Sequence, residues 1–147
     1  MIEESEAMKK LRERNLLAEF RNKIATIPST QDKVKELREK QRQEEHDRII
    51  AYTSQLAHVV SNAYVKSPNS RVHKGFSAGS YKDLTRVARL NPRMWTELFM
   101  ENKENLVNEI DGIIAELQKY SDAIKNNDEK ELEKLLSEGS KIKAEVG

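Results

Sequence analysis

Residues 91–125, NPRMWTELFMENKENLVNEIDGIIAELQKYSDAIK, decide the fold class. Asn91 can cap a helix with its side chain, and Pro92 sits at the one helical position where a missing amide proton costs nothing. From there Trp95, Leu98, Phe99, Asn102, Leu106, Ile110, Ile113, Leu117, Tyr120 and Ile124 return at three- and four-residue steps, one stripe on a helix running to about Lys125. So long an apolar stripe in a chain of 147 residues predicts a partner chain to cover it. Asn126-Asn127 ends the helix, and Asp128 caps a last one whose apolar face is Leu132, Leu135, Leu136 and Ile142.

Upstream, Ile49, Ile50, Thr53, Leu56, Val60, Ala63 and Tyr64 form a second core helix that Ser67-Pro68 breaks. Before it lies an arm. Met8, Leu11, Leu17, Phe20, Ile24 and Ile27 describe an amphipathic helix stopping at Pro28, and Ser29 with Asp32 three residues on reads as a capping box opening another. That helix has only Val34 and Leu37 to bury before the polar run Arg38 to Asp47. Residues 66–93 are a Gly-, Pro- and Ser-containing loop with a short helix around Lys82 to Leu90. The expected architecture is all-α: two long core helices in an intertwined homodimer, with a charged helical arm over residues 1–43 and the main domain over residues 44–147.

Composition agrees. Five Gly, three Pro and 35% charged residues suit solvated helices rather than strands and tight turns. Basic and acidic residues nearly cancel, 26 against 25, so no global field draws the chain to nucleic acid or an anionic membrane. Cysteine is absent, which excludes disulfides, thiolate catalysis and Cys-based zinc sites and suits a reducing cytoplasm. No apolar run reaches membrane-spanning length, and MIEESEAMKK is too polar for a secretion signal, so a cytoplasmic protein is expected.

The chemistry concentrates in the loop, where Lys66, Arg71, Lys74, Lys82, Arg86, Arg89 and Arg93 face a single acid, Asp83. Such a cluster leading into a helix N-terminus can bind an anion, or can be a solvated basic loop. Asp83 and Arg86, three residues apart on a helix, share a face. The pair can pre-organise a guanidinium for a ligand carboxylate, or be an ordinary surface ion pair. His58, four residues after Ser54 beside the apolar stripe, can be a ligand contact or a packed core histidine. His46 and His73 sit in polar stretches, and no His, Asp or Glu spacing predicts a metal site. Neither GxGxxG, GK[ST], GxSxG nor HExxH occurs, so no catalytic or cofactor-binding residue is assigned within the chain.

Two stretches, HDRIIAYTSQLAHVVSNAYV from His46 to Val65 and GFSAGSYKDLTRVARLNPRMWTELFMENKENL from Gly75 to Leu106, resemble the C-terminal helical domain of the prephenate dehydrogenase family. Its hallmarks are an SHLPH-like helix, a G-F-K-D-x-T-R-I-A loop, and N-P-x-M-W followed by E-N-K/R-E-N. The resemblance covers residues 44–147, in order and spacing. It implies a homodimer that binds prephenate, a dicarboxylate, against a domain carrying NAD or NADP, within tyrosine biosynthesis. It further implies that Arg86 holds a substrate carboxylate and that Asp83 orients such an Arg, within the chain or across the dimer. His58 would contact substrate, and Gly79 and Trp95 would line the pocket. Gln55 and Ala57 replace the family's first His and its Pro; Gln55 keeps hydrogen-bonding ability at that substrate contact.

Ahead of residue 44, where the resemblance implies the dinucleotide-binding domain, this sequence has the charged arm. The expectation is therefore a dimerising, substrate-binding domain that does not catalyse alone and needs a dinucleotide-binding domain in trans. A non-catalytic scaffold or regulatory protein built on the same domain is the alternative. A small helical chorismate mutase is a third reading, for which the arm has the Arg and Lys residues but no matching motif.

Overall fold

The computed structural model describes residues 5–73, 75 and 78–147, which contain helices and connecting turns and no strand. The fold is all-α, and none of the described helices is long and apolar enough to cross a membrane. The chain divides into two compact units, Met1–Glu44 and Glu45–Gly147.

In the first unit α1 spans Glu6–Ala25, with the Ser5 hydroxyl accepting from the Met8 amide. Its apolar residues spread around the helix instead of forming the expected amphipathic face, because Leu16 and Leu17 are adjacent and point about 100° apart. Leu11, Leu17, Phe20 and Ile24 all stand exposed. The expected capping box opens α2, Thr30–Ile50, whose residues from Glu45 on belong to the second unit. The Asp32 amide donates to Ser29 Oγ (3.1 Å), while Asp32 Oδ2 accepts from the Ser29 amide (3.1 Å) and hydroxyl (2.6 Å). The Ser29 hydroxyl, and after it the Ser29 amide, hold the Asp32 carboxyl below the usual carboxylate range.

The second unit is built on a helix that widens. Ala51–Leu56 form a π-helical segment, followed by α3, Ala57–Tyr64. A 3-10 turn at Pro68–Arg71 leads to α4, Gly79–Thr85. The short helix thus lies about a turn earlier than its expected place at Lys82 to Leu90. Thr85 Oγ1 bonds back to the Tyr81 carbonyl (2.7 Å), Asn62 Nδ2 captures the Ala88 carbonyl (3.0 Å), and Asn91 is held extended before Pro92, so the helix cannot continue.

The stripe of residues 91–125 is likewise two helices rather than one, α5 at Pro92–Glu101 and α6 at Lys103–Lys125. Asn91 Oδ1 caps α5 by accepting from the Met94 amide at 3.1 Å. The break is at Asn102 (φ −113°, ψ 31°), which leaves helical geometry as its side chain turns onto the π-helical segment. α6 ends in a Schellman motif: Asn127 takes a positive φ of 50°, its amide reaches Ile124 O (3.2 Å), and the Asp128 amide reaches Ala123 O (2.9 Å). Asp128 then caps α7, Glu129–Val146, through the Glu131 amide (3.0 Å).

α6 packs on the π-helical segment, on α5 and on α7, while α3 packs on α4. Among the described residues the buried apolar side chains are Ala51, Leu56, Leu106, Ala123 and Leu135, and Tyr120 ties α6 to α7 by donating to the Leu135 carbonyl at 3.3 Å. Val107, Ile114, Leu117, Ile124, Leu136 and Ile142 remain exposed.

Candidate functional site

The π-helical segment shapes the first half of the site. At the end of this segment the Ala57 amide bonds Ser54 O, three residues back, and the same oxygen takes His58 Nδ1 at 2.7 Å. A carbonyl only accepts, so Nδ1 carries the hydrogen and Nε2 is the ring atom left to face a ligand. Half-buried, the imidazole stacks on Trp95 with centroids 4.1 Å apart and planes 29° from parallel, and Trp95 packs against Phe99 at 5.3 Å. One turn before His58, Gln55 is 6% exposed. Its Nε2 donates to Leu98 O (3.2 Å) and its Oε1 accepts from Asn102 Nδ2 (3.0 Å).

The second half is an open groove of about 420 Å³ whose lining includes Asp83 and Arg86 together with Leu56, Val60, Val87 and Ile113. Both charged side chains are exposed, and among the described residues no ion pair joins them, although they stand three residues apart as expected. Arg86 is the C-cap of α4 and keeps helical dihedrals (φ −53°, ψ −37°), with its amide on Asp83 O at 3.4 Å, so the two residues share a face as expected while their charged groups stay apart. Asn62 holds the segment just beyond it through the Ala88 carbonyl.

The expected residues therefore fall into two groups: Gln55, His58 and Trp95 in a polar and aromatic seam between the π-helix/α3 stretch and α5, and Asp83 with Arg86 in the groove. Gly79, exposed at the start of α4, belongs to neither; a Cβ built there meets nothing within 4 Å. Of the basic cluster, Lys66, Arg71, Lys82 and Arg89 are exposed, Arg93 pairs with Glu97 at 3.4 Å, and Lys74 lies outside the described residues. His46 lies 3.3 Å from Asp47. His73 lines a separate cavity of about 380 Å³, its ring 4.3 Å from that of Tyr81.

Sequence reasoning missed the role of Asn102. It sits in the apolar stripe with Leu98, Phe99 and Leu106 at helical spacing around it, so a polar residue there was itself the signal.

Residues 42–138 match the family model described as prephenate dehydrogenase, dimerization domain. The chain belongs to this family. The cyclohexadienyl dehydrogenase of Zymomonas mobilis is 37% identical over 92 residues, 58% of this chain and 31% of that protein. The prephenate dehydrogenase of Bacillus subtilis is 29% identical over 94 residues, 60% of this chain and 25% of its own length. The crystal structure of a prephenate dehydrogenase from A. aeolicus, in complex with hydroxyphenyl propionate and NAD+, superposes with a TM-score of 0.61 at 28% identity, covering 82% of this chain and 48% of that one. The chain thus spans about a quarter to a third of the curated relatives it matches. The dimerization-domain match takes in both the seam and the groove.

Proposed function

We propose that this chain is the dimerising, substrate-binding helical domain of a prephenate dehydrogenase-type enzyme of tyrosine biosynthesis. It binds a prephenate-like dicarboxylate, and oxidation needs a dinucleotide-binding domain, carrying NAD or NADP, acting in trans. Residues 44–147 do this work and residues 1–43 form an appended arm. The observation that carries the reading is Arg86. Its guanidinium is exposed, engaged by no ion pair among the described residues, in an otherwise largely apolar groove, which is the arrangement that grips a carboxylate bidentately.

In this reading Arg86 takes a ligand carboxylate, Asp83 orients a guanidinium, and Trp95 supplies an aromatic wall. His58 Nε2 and Gln55 take polar groups, and Gly79 leaves room at the start of α4. The ligand chemistry is supported by the hydroxyphenyl propionate held by the A. aeolicus relative. A homodimer is supported by the family's dimerization-domain description and by the apolar side chains that α6 and α7 leave exposed.

Calorimetry with prephenate, and an assay for 4-hydroxyphenylpyruvate with NAD or NADP, test the proposal. Expected are binding that Arg86→Ala weakens, and turnover only when a dinucleotide-binding domain is added. Turnover by the chain unaided would sink the in-trans requirement. Absence of binding, with no effect of Arg86→Ala, would leave a dimeric scaffold.

A further inference from the structure

We infer that Asn102 is the positioning residue of the Gln55–His58–Trp95 seam, setting through its side-chain amide which way Gln55 presents its own. The inference rests on reading that seam as part of a ligand pocket. Asn102 is half-buried at the bend between α5 and α6. Its Nδ2 donates to the Asp47 carbonyl (2.7 Å) and to Gln55 Oε1 (3.0 Å), and its Oδ1 accepts from Asn105 Nδ2 (2.8 Å).

The polarity of this chain of amides is over-determined. A backbone carbonyl only accepts, so the Asn102 atom facing Asp47 O must be the nitrogen. Its second proton then meets Gln55, whose facing atom must be the oxygen. That leaves Gln55 Nε2 toward Leu98 O, again a pure acceptor, where it is found at 3.2 Å. Both protons of Asn102 Nδ2 are spent, and Gln55 cannot flip without opposing oxygen to oxygen at Leu98 and nitrogen to nitrogen at Asn102. Gln55 is therefore held with one Nε2 proton and one Oε1 lone pair unspent, and it offers a ligand only those. The same bonds tie the C-terminal half of α5, the helix that carries Trp95, to the π-helical segment that His58 closely follows, so one residue registers both walls of the seam.

The test uses the whole chain with Asn102→Ala, Gln55→Ala and the double substitution. The Gln55 side-chain amide is followed by NMR and hydroxyphenyl propionate is titrated by calorimetry, both below the melting transition. Asn102→Ser is the second variant should Asn102→Ala not fold, since one hydroxyl proton serves a single acceptor, Asp47 O or Gln55. Expected are a resolved, slowly exchanging Gln55 amide pair that collapses toward solvent-like behaviour in both Asn102 variants, and roughly tenfold weaker ligand binding. Asn102→Ala should weaken binding no further once Gln55 is alanine. An unchanged Gln55 amide, or losses that add in the double variant, would overturn the inference. If the ligand binds no form of the chain while the Gln55 amide still answers to residue 102, the proposed function fails and the positioning role stands.

Discussion

Arg86→Ala separates binding from folding more cleanly than any other substitution in this chain. The side chain is exposed, makes no ion pair among the described residues and lies past the end of α4. Its removal should therefore change stability by no more than about 0.5 kcal/mol. A bidentate, charge-assisted pair with a ligand carboxylate contributes about 1.5–3 kcal/mol, so the dissociation constant for prephenate should rise about 10- to 150-fold. The groove is open, which places the loss toward the lower end and makes it shrink as salt rises. Arg86→Lys keeps the charge but not the planar fork, and should recover only part of the affinity. Calorimetry at low and moderate salt, beside thermal melts of the same samples, reads all of this. Unaltered affinity in Arg86→Ala, or a large fall in melting temperature with affinity lost in proportion, would refute the reasoning.

Leu106, 4% exposed and on α6 where that helix meets the π-helical segment, should cost about 3 kcal/mol when cut to alanine, read as a lowered denaturation midpoint. Leu117, 60% exposed within the chain, should cost little in one copy but weaken self-association in sedimentation if the homodimer covers that face. Ser61→Ala should stabilise by about 1 kcal/mol in chemical denaturation, because the Ser61 hydroxyl is fully buried and hydrogen-bonds to nothing among the described residues. The Asp32 carboxyl is depressed in the folded chain, so its contribution is present above its unfolded pKa and is lost as pH falls through the lower folded value. Protection of the Ser29 amide, the slowing of its exchange relative to an unstructured amide at the same pH, should fall over that acid window in the natural chain, and should already be low at neutral pH in Asp32→Ala.

The all-α class and most helix ends were legible because the signals are local. Asn91-Pro92, Ser29 with Asp32, and Asp128 act through hydrogen bonds spanning three residues, and the structure closes each of them. What misled was tertiary. The stripe through residues 91–125 has unbroken helical periodicity, yet a partner 55 residues away, Asp47 O, turns Asn102 out of the helix. The span at Lys82 to Leu90 was misplaced for the same kind of reason, since Asn62 takes the Ala88 carbonyl from 26 residues upstream. In α1, three- and four-residue spacings coexist with the adjacent pair Leu16-Leu17, and spacing alone did not reveal that the apolar residues point in several directions.

The site divides along the same line. Residue types and spacings bring out Asp83, Arg86 and His58, and the helical dihedrals of Arg86 keep it on one face with Asp83, yet the two share a groove without pairing. The π-helical segment was invisible for a physical reason: a π turn differs from an α turn by one residue in the hydrogen-bond ladder, and AYTSQL has no residue that forbids either. Gln55, inside the segment, stands between Leu98 O and Asn102, and His58, two residues beyond its end, bonds Ser54 O through Nδ1. Gln55 and Ala57, the two departures from the family's motif, lie at the end of this widened turn. With alanine at 57 the Ser54 carbonyl accepts a backbone amide that proline could not supply, and still accepts His58. His58 in this chain is therefore held by its own ring bond to Ser54 O, with no proline at 57, and Gln55 meets Asn102 with an oxygen that accepts whatever the pH, as an imidazolium in its place could not.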